Sequence, residues 1–215
     1  MSLKLYFHPL SSFCQKALIA LYENDTPFEP TMVNLFDEAS AAAFKKIWPI
    51  GKFPVLRDEA RDRTVPESSI IIEYLAQHYP GKSRLVPEDA DLARQTRLRD
   101  RFFDLYLHLP MQKVVTDKLR PAGRNDAYGV EEAKGMIRTA LGMLDQDIAT
   151  KRWAMGEAFT LADCAAGPPL FFINMLMPFG DTHRNAAAYL GRLASRPSFA
   201  RALKEAEPYL ALVPR

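Results

Sequence analysis

Residues Leu3–Leu21 read LKLYFHPLSSFCQKALIAL and contain two elements from which much of the fold follows. The run LKLYF has the pattern of a short strand. After His8 and Pro9, the apolar residues have the spacing of a helix over about residues 12–23. A strand followed at once by a helix is the first half of a β-α-β unit. The sequence therefore predicts an α/β arrangement at this end of the chain.

Short strand-like and helix-like runs continue to alternate up to about residue 80. In chain order they are FEPTMV, a short helix around residues 38–46, FPVLRD, RTV and the helix ESSIIIEYLAQHY. A strand–helix–strand crossover joins parallel strands, whereas the charged turn DEARDR joins two later strands that run antiparallel. We therefore predict a small four-stranded mixed sheet with helices packed on it.

The periodicity becomes purely helical after YPGKSRLVPED, whose two prolines and one glycine are typical of a linker. Apolar residues at helical spacing in the first part of this half are Leu92, Leu98, Phe102, Leu105, Tyr106 and Leu109. We predict an α/β domain over residues 1–80, a linker over 81–90 and an all-helical domain over 91–215.

The composition limits the possible classes of protein. The chain has 215 residues, 48% of them hydrophobic, and this is enough for one large domain or two small ones. A formal charge of +2 without a long run of like charge argues against a nucleic-acid partner. The apolar run CAAGPPLFFINMLMPFG contains three prolines, so no membrane span is predicted, and MSLKLYFHPLSS lacks the pattern of a signal peptide. The two cysteines, Cys14 and Cys164, are too few for a disulfide framework and favour a cytoplasmic protein.

The stretch GEAFTLADCAAG predicts the start of a buried helix. Thr160 is a natural N-cap, and Asp163 three residues later completes the acidic form of a capping box. Such a cap stabilises the helix and carries no reaction chemistry. We therefore interpret Cys164, the next residue, as a packing residue.

Two clusters in the first half are typical of ligand binding as well as of ordinary turns and caps. In WPIGKFPVL, Pro54 is a candidate cis-proline, which would bend the chain and free the backbone of Phe53 from the sheet. In VPESSIIIEYL, Glu67 and Ser68 stand at the predicted first turn of a helix, where unpaired amide groups favour a carboxylate ligand.

Taken together, these stretches resemble the glutathione transferase superfamily, and more specifically its cytosolic, serine-type, bacterial-like members. The matching segments are LYFHPLSSFCQKALIAL, WPIGKFPVL, VPESSIIIEYLAQHYP, GEAFTLADCAAGPPLFF and RPSFARAL, so the resemblance covers nearly the whole chain. It implies a thioredoxin-like N-terminal domain, an all-helical C-terminal domain and a homodimer with glutathione as co-substrate. Trp48 departs from the family pattern, which usually has asparagine at this position before the proline.

The resemblance also implies binding roles by position. Phe53 would bind the cysteinyl part of glutathione through its backbone, beside a cis-Pro54. Glu67 and Ser68 would hold the γ-glutamyl end, and Lys52 would lie near the glycyl carboxylate.

The resemblance implies that Ser11 is the catalytic residue, whose hydroxyl donates to the glutathione sulfur. A thiol with a pKa of about 8.5 is mostly protonated at neutral pH, so a hydroxyl donor at a helix N-terminus favours its ionised form. Ser12 remains an alternative, as an N-cap or a second donor. Cys14 stands where the second cysteine of a redox Cys-x-x-Cys motif would be. Because the first position is Ser11, disulfide reduction is a weaker hypothesis.

The residues that hold the co-substrate are harder to predict. We expect an apolar pocket, although aromatic and methionine residues at helical spacing are also typical of a core. The predicted set is His8, Leu10, Tyr106, Met111, Phe172 and Met175. No metal site is predicted, because His78, His108 and His183 have no second ligand at suitable spacing.

Three functions are consistent with this sequence. The first is a glutathione transferase that joins the glutathione thiolate to an electrophilic apolar co-substrate. The second is a glutathione-dependent isomerase or thiol–disulfide reductase. The third is a non-catalytic binding protein on the same fold, since a fold alone does not determine function.

Overall fold

The structure, a computed structural model, describes residues 2–214, and over that range it contains four strands, nine α-helices, one π-helical turn and one 3₁₀ helix. The elements are β1 (Leu3–Phe7), α1 (Ser12–Glu23), β2 (Glu29–Met32), α2 (Glu38–Ile47), β3 (Val55–Asp58), β4 (Arg63–Pro66), α3 (Ser68–His78), α4 (Ala90–Phe102), the π-helical turn (Phe103–His108), α5 (Leu109–Asp117), α6 (Ala127–Ile148), α7 (Leu161–Leu176), α8 (Arg184–Ala194), α9 (Pro197–Ala206) and the 3₁₀ helix (Glu207–Leu212).

The four strands form one mixed sheet in the order β2-β1-β3-β4. β1 runs parallel to β2 and antiparallel to β3, where Leu5 stands opposite Leu56, and β4 adds antiparallel at the edge. Helix α1 makes the crossover between the parallel strands, as the β-α-β pattern requires. The predicted α/β domain with a thioredoxin-like sheet, followed by an all-helical domain, is confirmed. The limits predicted at residues 81–90 stay a prediction.

Helix α1 lies between the sheet and the helical half. Ten of its twelve residues are buried, among them Lys16, and it packs against α3, α7 and α9. Most of the buried apolar residues of both halves belong to one continuous core that includes Leu5, Leu18 and Leu170, and Val33, Phe44 and Val55 form a second, small cluster. The burial of both flanks of α1 therefore joins the two halves of the molecule.

The first long rod of the helical half consists of α4, the π-helical turn and α5. The amide of Leu109 donates to the carbonyl of Asp104, five residues back, and Pro110 follows with no amide hydrogen. In an ordinary α-helix, the ring of a proline clashes with the carbonyl group four residues before it. A widened turn leaves room for the ring. The predicted helix is therefore present, but its residue pattern shifts at this turn.

The buried face of this rod is not the apolar row seen in the sequence. Leu98 is 62% exposed and Leu105 is 42% exposed, whereas Thr96, Asp100 and Asp104 are buried. The polar residues are buried because they have partners inside the protein, as the site shows below.

The predicted start of α7 is confirmed in detail. Thr160 and Asp163 form the capping box, and the Asp163 carboxylate also accepts from the Ala154 amide at 2.8 Å and the Tyr189 hydroxyl at 2.6 Å. Cys164 is fully buried, as expected of a packing residue. Between Ser2 and Pro214, no helix combines the length and apolar content needed to cross a membrane.

Candidate functional site

A cavity of about 350 Å³ opens between the loops at one edge of the sheet and the rod formed by α4 and α5. Its volume is in the range of small-molecule sites. The side chains that line it are Ser11, Phe13, Leu35, Lys52, Phe53, Pro54, Glu67, Ser68, Ser69, Arg101, Asp104, Leu105, Leu109 and Gln112. The cavity thus brings together Ser11 and the two clusters singled out in the sequence.

The loop before β3 forms one side of the cavity. The Phe53–Pro54 peptide bond is cis, as predicted from the sequence, and Lys52 is exposed beside it. The unusual Trp48 is accommodated by a turn in which its carbonyl accepts from the Gly51 amide at 2.9 Å. Gly51 has a φ of +69°, a conformation that suits glycine.

The start of α3 forms the second side. Glu67 is the residue before the helix and has a φ of +70°, which is uncommon for a residue other than glycine. Strained residues of this kind cluster at ligand-binding positions. Ser68 begins the helix, whose first amide groups have no partner within the helix and favour an anionic ligand.

Ser11 lies at the N-terminus of α1 and is its N-cap. Its hydroxyl oxygen accepts from the Cys14 amide at 3.3 Å, and the residue is half-buried on the cavity wall. Because the backbone amide occupies the oxygen, the hydroxyl hydrogen remains available to donate to a ligand. The first turn of α1 adds its own positive end to the same position.

Ser12 has a different environment. It is the first residue inside α1, is buried, and its hydroxyl lies 2.5 Å from Nε2 of His108. The N-cap alternative for Ser12 is wrong, because Ser11 occupies that position. The cavity wall formed by the described residues includes Ser11 but not Ser12.

Cys14 faces the interior of the protein. It is completely buried, and that burial raises the pKa of its thiol to about 12. A thiolate is the reactive form of cysteine, so Cys14 is an inert packing residue at neutral pH. This geometry counts against the disulfide-reductase hypothesis.

A cluster of charges forms part of the cavity wall and continues into the interior behind it. The ammonium of Lys16 in α1 is fully buried between two carboxylates of the rod, 2.6 Å from Asp100 and 2.8 Å from Asp104. Lys16 also donates to the hydroxyl of Ser69 at 2.8 Å. Arg101 closes the cluster from the outside, with its guanidinium 2.7 Å from Asp104.

The carboxylates of Asp100 and Asp104 are buried and have little contact with water. Burial raises the pKa of Asp104, and the charge of Asp100 adds to this, while Lys16 and Arg101 oppose it. The Asp100 oxygen nearest Lys16 makes a close ion pair, but the angles are not those of a hydrogen bond. The short distance is sufficient for a strong ion pair, since ion pairing depends little on angle.

The apolar part of the cavity wall is formed by Phe13 together with Leu35, Leu105 and Leu109. Of the six predicted pocket residues, none belongs to the lining that the described residues form. Met111 and Phe172 are buried in the core. The other four, His8, Leu10, Tyr106 and Met175, lie partly or largely exposed outside this wall.

His8 is not part of the described cavity lining and contacts other groups of the protein. Its Nδ1 accepts from the Leu10 amide at 3.2 Å, and its ring lies between those of Phe53 and Tyr209. Burial lowers its pKa from the ordinary value. His8 therefore packs against Phe53, which lines the cavity.

Sequence reasoning missed the charged cluster and its link to the cavity. Lys16 is followed by the apolar run Ala17–Leu21 in a helix, and Asp100 and Asp104 have the i, i+4 spacing of one helix face. Both signals point to a buried ion pair, because a lysine is rarely buried without a partner. Within residues 2–214, no group of three or more His, Cys, Asp or Glu side chains has the geometry of a metal site.

Two sequence-family models match the chain. The model described as glutathione S-transferase, N-terminal domain, matches residues 5–83, and the one described as glutathione S-transferase, C-terminal domain, matches residues 127–192. Together they cover more than half of the chain.

Individual proteins are similar over nearly the full length. A glutathione S-transferase of Arabidopsis thaliana is 26% identical over 208 residues, covering 93% of this chain and 94% of that protein. FtsZ-localized protein A of Caulobacter vibrioides is 27% identical over 219 residues, covering 96% and 93%. The crystal structure of a glutathione S-transferase from Methylobacillus flagellatus with glutathione bound has a TM-score of 0.85 at 25% identity, covering 94% of this chain and 98% of that one.

Proposed function

Because the chain belongs to the glutathione S-transferase superfamily, we propose that it is a glutathione transferase that joins the glutathione thiolate to an electrophilic apolar co-substrate. The observation that carries this proposal is the position of Ser11. Its hydroxyl hydrogen is free to donate into the same cavity that Phe53, Glu67 and Ser68 line. A similar protein of known structure was solved with glutathione bound.

In the proposed reaction, the tripeptide lies along the loop before β3 and the start of α3. Lys52 attracts the glycyl carboxylate, and Glu67 and Ser68 hold the γ-glutamyl end. The hydroxyl of Ser11 stabilises the thiolate, whose sulfur forms a bond to an electrophilic carbon while a leaving group departs or a proton is added. Ser12 is buried and is assigned no direct contact with the ligand.

The apolar co-substrate is proposed to lie against Leu35, Leu105 and Leu109. These side chains are partly exposed on the same wall as Phe13, so an apolar ligand would remove them from water. This set replaces the residues predicted from the sequence. A cytoplasmic location and a role in detoxification belong to the same proposal and rest on the family.

The alternative functions are distinguishable by assay. FtsZ-localized protein A is similar over the full length and is named for its location rather than for a transferase activity, which favours the binding-protein alternative. Turnover of glutathione with aryl halides, epoxides or unsaturated carbonyls would support conjugation. Turnover only with mixed disulfides would support reduction, and binding without turnover on any of these would support a binding protein.

Removing the polar groups of Glu67 and Ser68 together is expected to weaken glutathione binding by about tenfold to a hundredfold, the effect of losing one or two charge-assisted hydrogen bonds. Calorimetric titration of the double variant Glu67→Ala with Ser68→Ala measures this loss. Glu132→Ala, on the exposed face of α6, is the matched control and is expected to bind like the parent. Unchanged binding in the double variant would disprove the site assignment.

A homodimer is also part of the proposal. The family implies it, and the exposed side chains of Ile70 and Leu98 offer apolar surface for a second copy. Light scattering is expected to give twice the chain mass of 24.3 kDa. A mass equal to one chain would reject the dimer.

A further inference from the structure

His108 lies at the end of the π-helical turn and is completely buried under the first turn of α1. Its Nε2 is 2.5 Å from the hydroxyl oxygen of Ser12. Its ring is stacked on that of Phe13, with 3.6 Å between the ring centroids and 13° between the planes. One side chain of the helical half thus contacts two consecutive residues of α1.

These two residues immediately follow Ser11. Phe13 lines the cavity, and the next residue, Cys14, supplies the amide that engages the Ser11 hydroxyl. A shift of the first turn would therefore move the Ser11 oxygen, its amide partner and the aromatic wall together. His108 is placed to prevent such a shift.

The imidazole of His108 is neutral. Burial, with the charge of Lys16 in addition, lowers its pKa well below the ordinary value. A neutral imidazole has one donor and one acceptor nitrogen. Nδ1 has no hydrogen-bond partner among the described residues, and an Asp104 oxygen lies 3.9 Å away, so the hydrogen is best placed on Nδ1. Nε2 then accepts from the hydroxyl of Ser12.

We propose that His108 is a positioning residue of the glutathione site, which fixes the first turn of α1 through Ser12 and Phe13 and so aims the Ser11 hydroxyl at the ligand sulfur. The inference rests on the proposed function for its consequence in catalysis. Its structural part concerns α1 alone and is testable without any ligand.

A nucleophilic role for the Ser12–His108 pair does not fit the geometry. Ser12 is 5% exposed, and the described wall of the cavity is formed by Ser11 instead. A substrate in the cavity would meet the ring of Phe13 and the Ser11 hydroxyl first. The pair therefore acts on the site through the backbone of α1.

The first test is amide hydrogen exchange of the free protein. Ser12→Ala removes the hydrogen bond, and His108→Phe removes it while keeping a ring to stack on Phe13. Both are expected to speed exchange of the Cys14 amide about five- to tenfold and to leave the Leu21 amide unchanged. His108→Gln, which restores an amide group near Ser12, is expected to recover part of the protection. His78→Phe in α3 is the control.

The double variant and the site dependence of the exchange separate a local effect on α1 from a general loss of stability. Combining Ser12→Ala with His108→Phe is expected to add nothing to either single change, because both remove the same bond. Equal acceleration at Cys14 and Leu21 would show a general loss of stability and overturn the proposal, as would unchanged exchange at Cys14. If His108→Phe does not fold, the Ser12→Ala result decides alone.

The second test follows the thiol of bound glutathione by its absorbance against pH. Ser12→Ala is expected to raise the pKa of that thiol by roughly 0.5–1 unit, with less than about a twofold change in glutathione affinity. If Ser11→Ala shifts the thiol and Ser12→Ala does not, the positioning role is wrong and the proposed function stands. If the parent does not bind glutathione, the proposed function fails, and the exchange experiment still tests the structural part.

Discussion

Replacing Ser11 by alanine is expected to raise the pKa of the bound glutathione thiol by about one to two units, back to its ordinary value of about 8.5, which lowers the thiolate fraction at pH 7 about eightfold to 25-fold. The physical reason is the loss of the Ser11 hydroxyl hydrogen, which the Cys14 amide leaves free to donate to the sulfur. Glutathione affinity should change much less, because Phe53, Glu67 and Ser68 still line the cavity. Thiolate absorbance against pH, together with kcat and KM, measures both quantities.

The alanine change also removes an N-cap, so two further variants separate the effects. Ser11→Thr keeps a hydroxyl and a cap and should restore the parent pH profile in large part. Ser11→Gly loses the hydroxyl but costs little as a cap, so it should behave like alanine in the thiol titration. Cys14→Ala is expected to leave the profile unaltered, given the burial of that thiol. A parent-like profile in Ser11→Ala would contradict the assignment, and loss of mixed-disulfide turnover in Cys14→Ala would favour the reductase.

Replacing Lys16 by methionine is expected to lower the free energy of unfolding by about 3–5 kcal/mol. The change removes the buried cation between Asp100 and Asp104 and leaves them only the half-exposed Arg101, and removing one partner of a buried ion pair has a cost of this size. Urea denaturation followed by circular dichroism measures it. Lys82→Met is the matched control, because Lys82 pairs with Asp25 at 2.7 Å but on the exposed surface, and no measurable change is expected there.

The pH dependence gives a second check on the same variant. In the parent, burial already raises the pKa of Asp104, and the loss of Lys16 raises it further. A carboxyl whose pKa is higher in the folded state than in the unfolded state favours folding more as it becomes protonated. The stability deficit of Lys16→Met should therefore shrink as the pH falls from neutral toward about 4, the ordinary range of aspartate. A deficit that does not depend on pH would show that packing, rather than charge, explains it.

The elements that could be predicted from the sequence are those set by local pattern. The predicted helix over residues 12–23 matches α1, and the strand-like FPVLRD contains β3, because side-chain periodicity and turn residues act over a few positions. The cis form of Pro54 and the capping box of Thr160 were also predicted from short motifs. Each depends on neighbours in the chain rather than on distant contacts.

The parts that could not be predicted depend on distant contacts. Lys16 meets Asp104 across 88 positions of the chain, and no local pattern states such a pairing. The π-helical turn also shifts the residues after it by about one position around the rod, and the helical spacing of the sequence does not show this shift. Leu105 and Leu109 line the cavity, while the predicted Tyr106, which has similar apolar spacing in the sequence, does not. The stacking of Phe13 on His108 could not be predicted either, because the two residues lie far apart in the sequence.

The position of α1 has a consequence for how such proteins can be recombined. By sequence the helix belongs to the first half, yet the Glu23 carboxylate at its end accepts from Arg196 and, at 2.9 Å, from Ser198 at the start of α9. Its two flanks meet surfaces encoded more than a hundred residues apart. In a chimera whose first half comes from one relative and whose second half comes from another, α1 packs against α7 and α9 of a different protein, so these contacts are mismatched. Helix α1 should therefore be exchanged together with α7 and α9. A chimera joined only at the predicted linker, residues 81–90, would separate α1 from these two helices and lose stability.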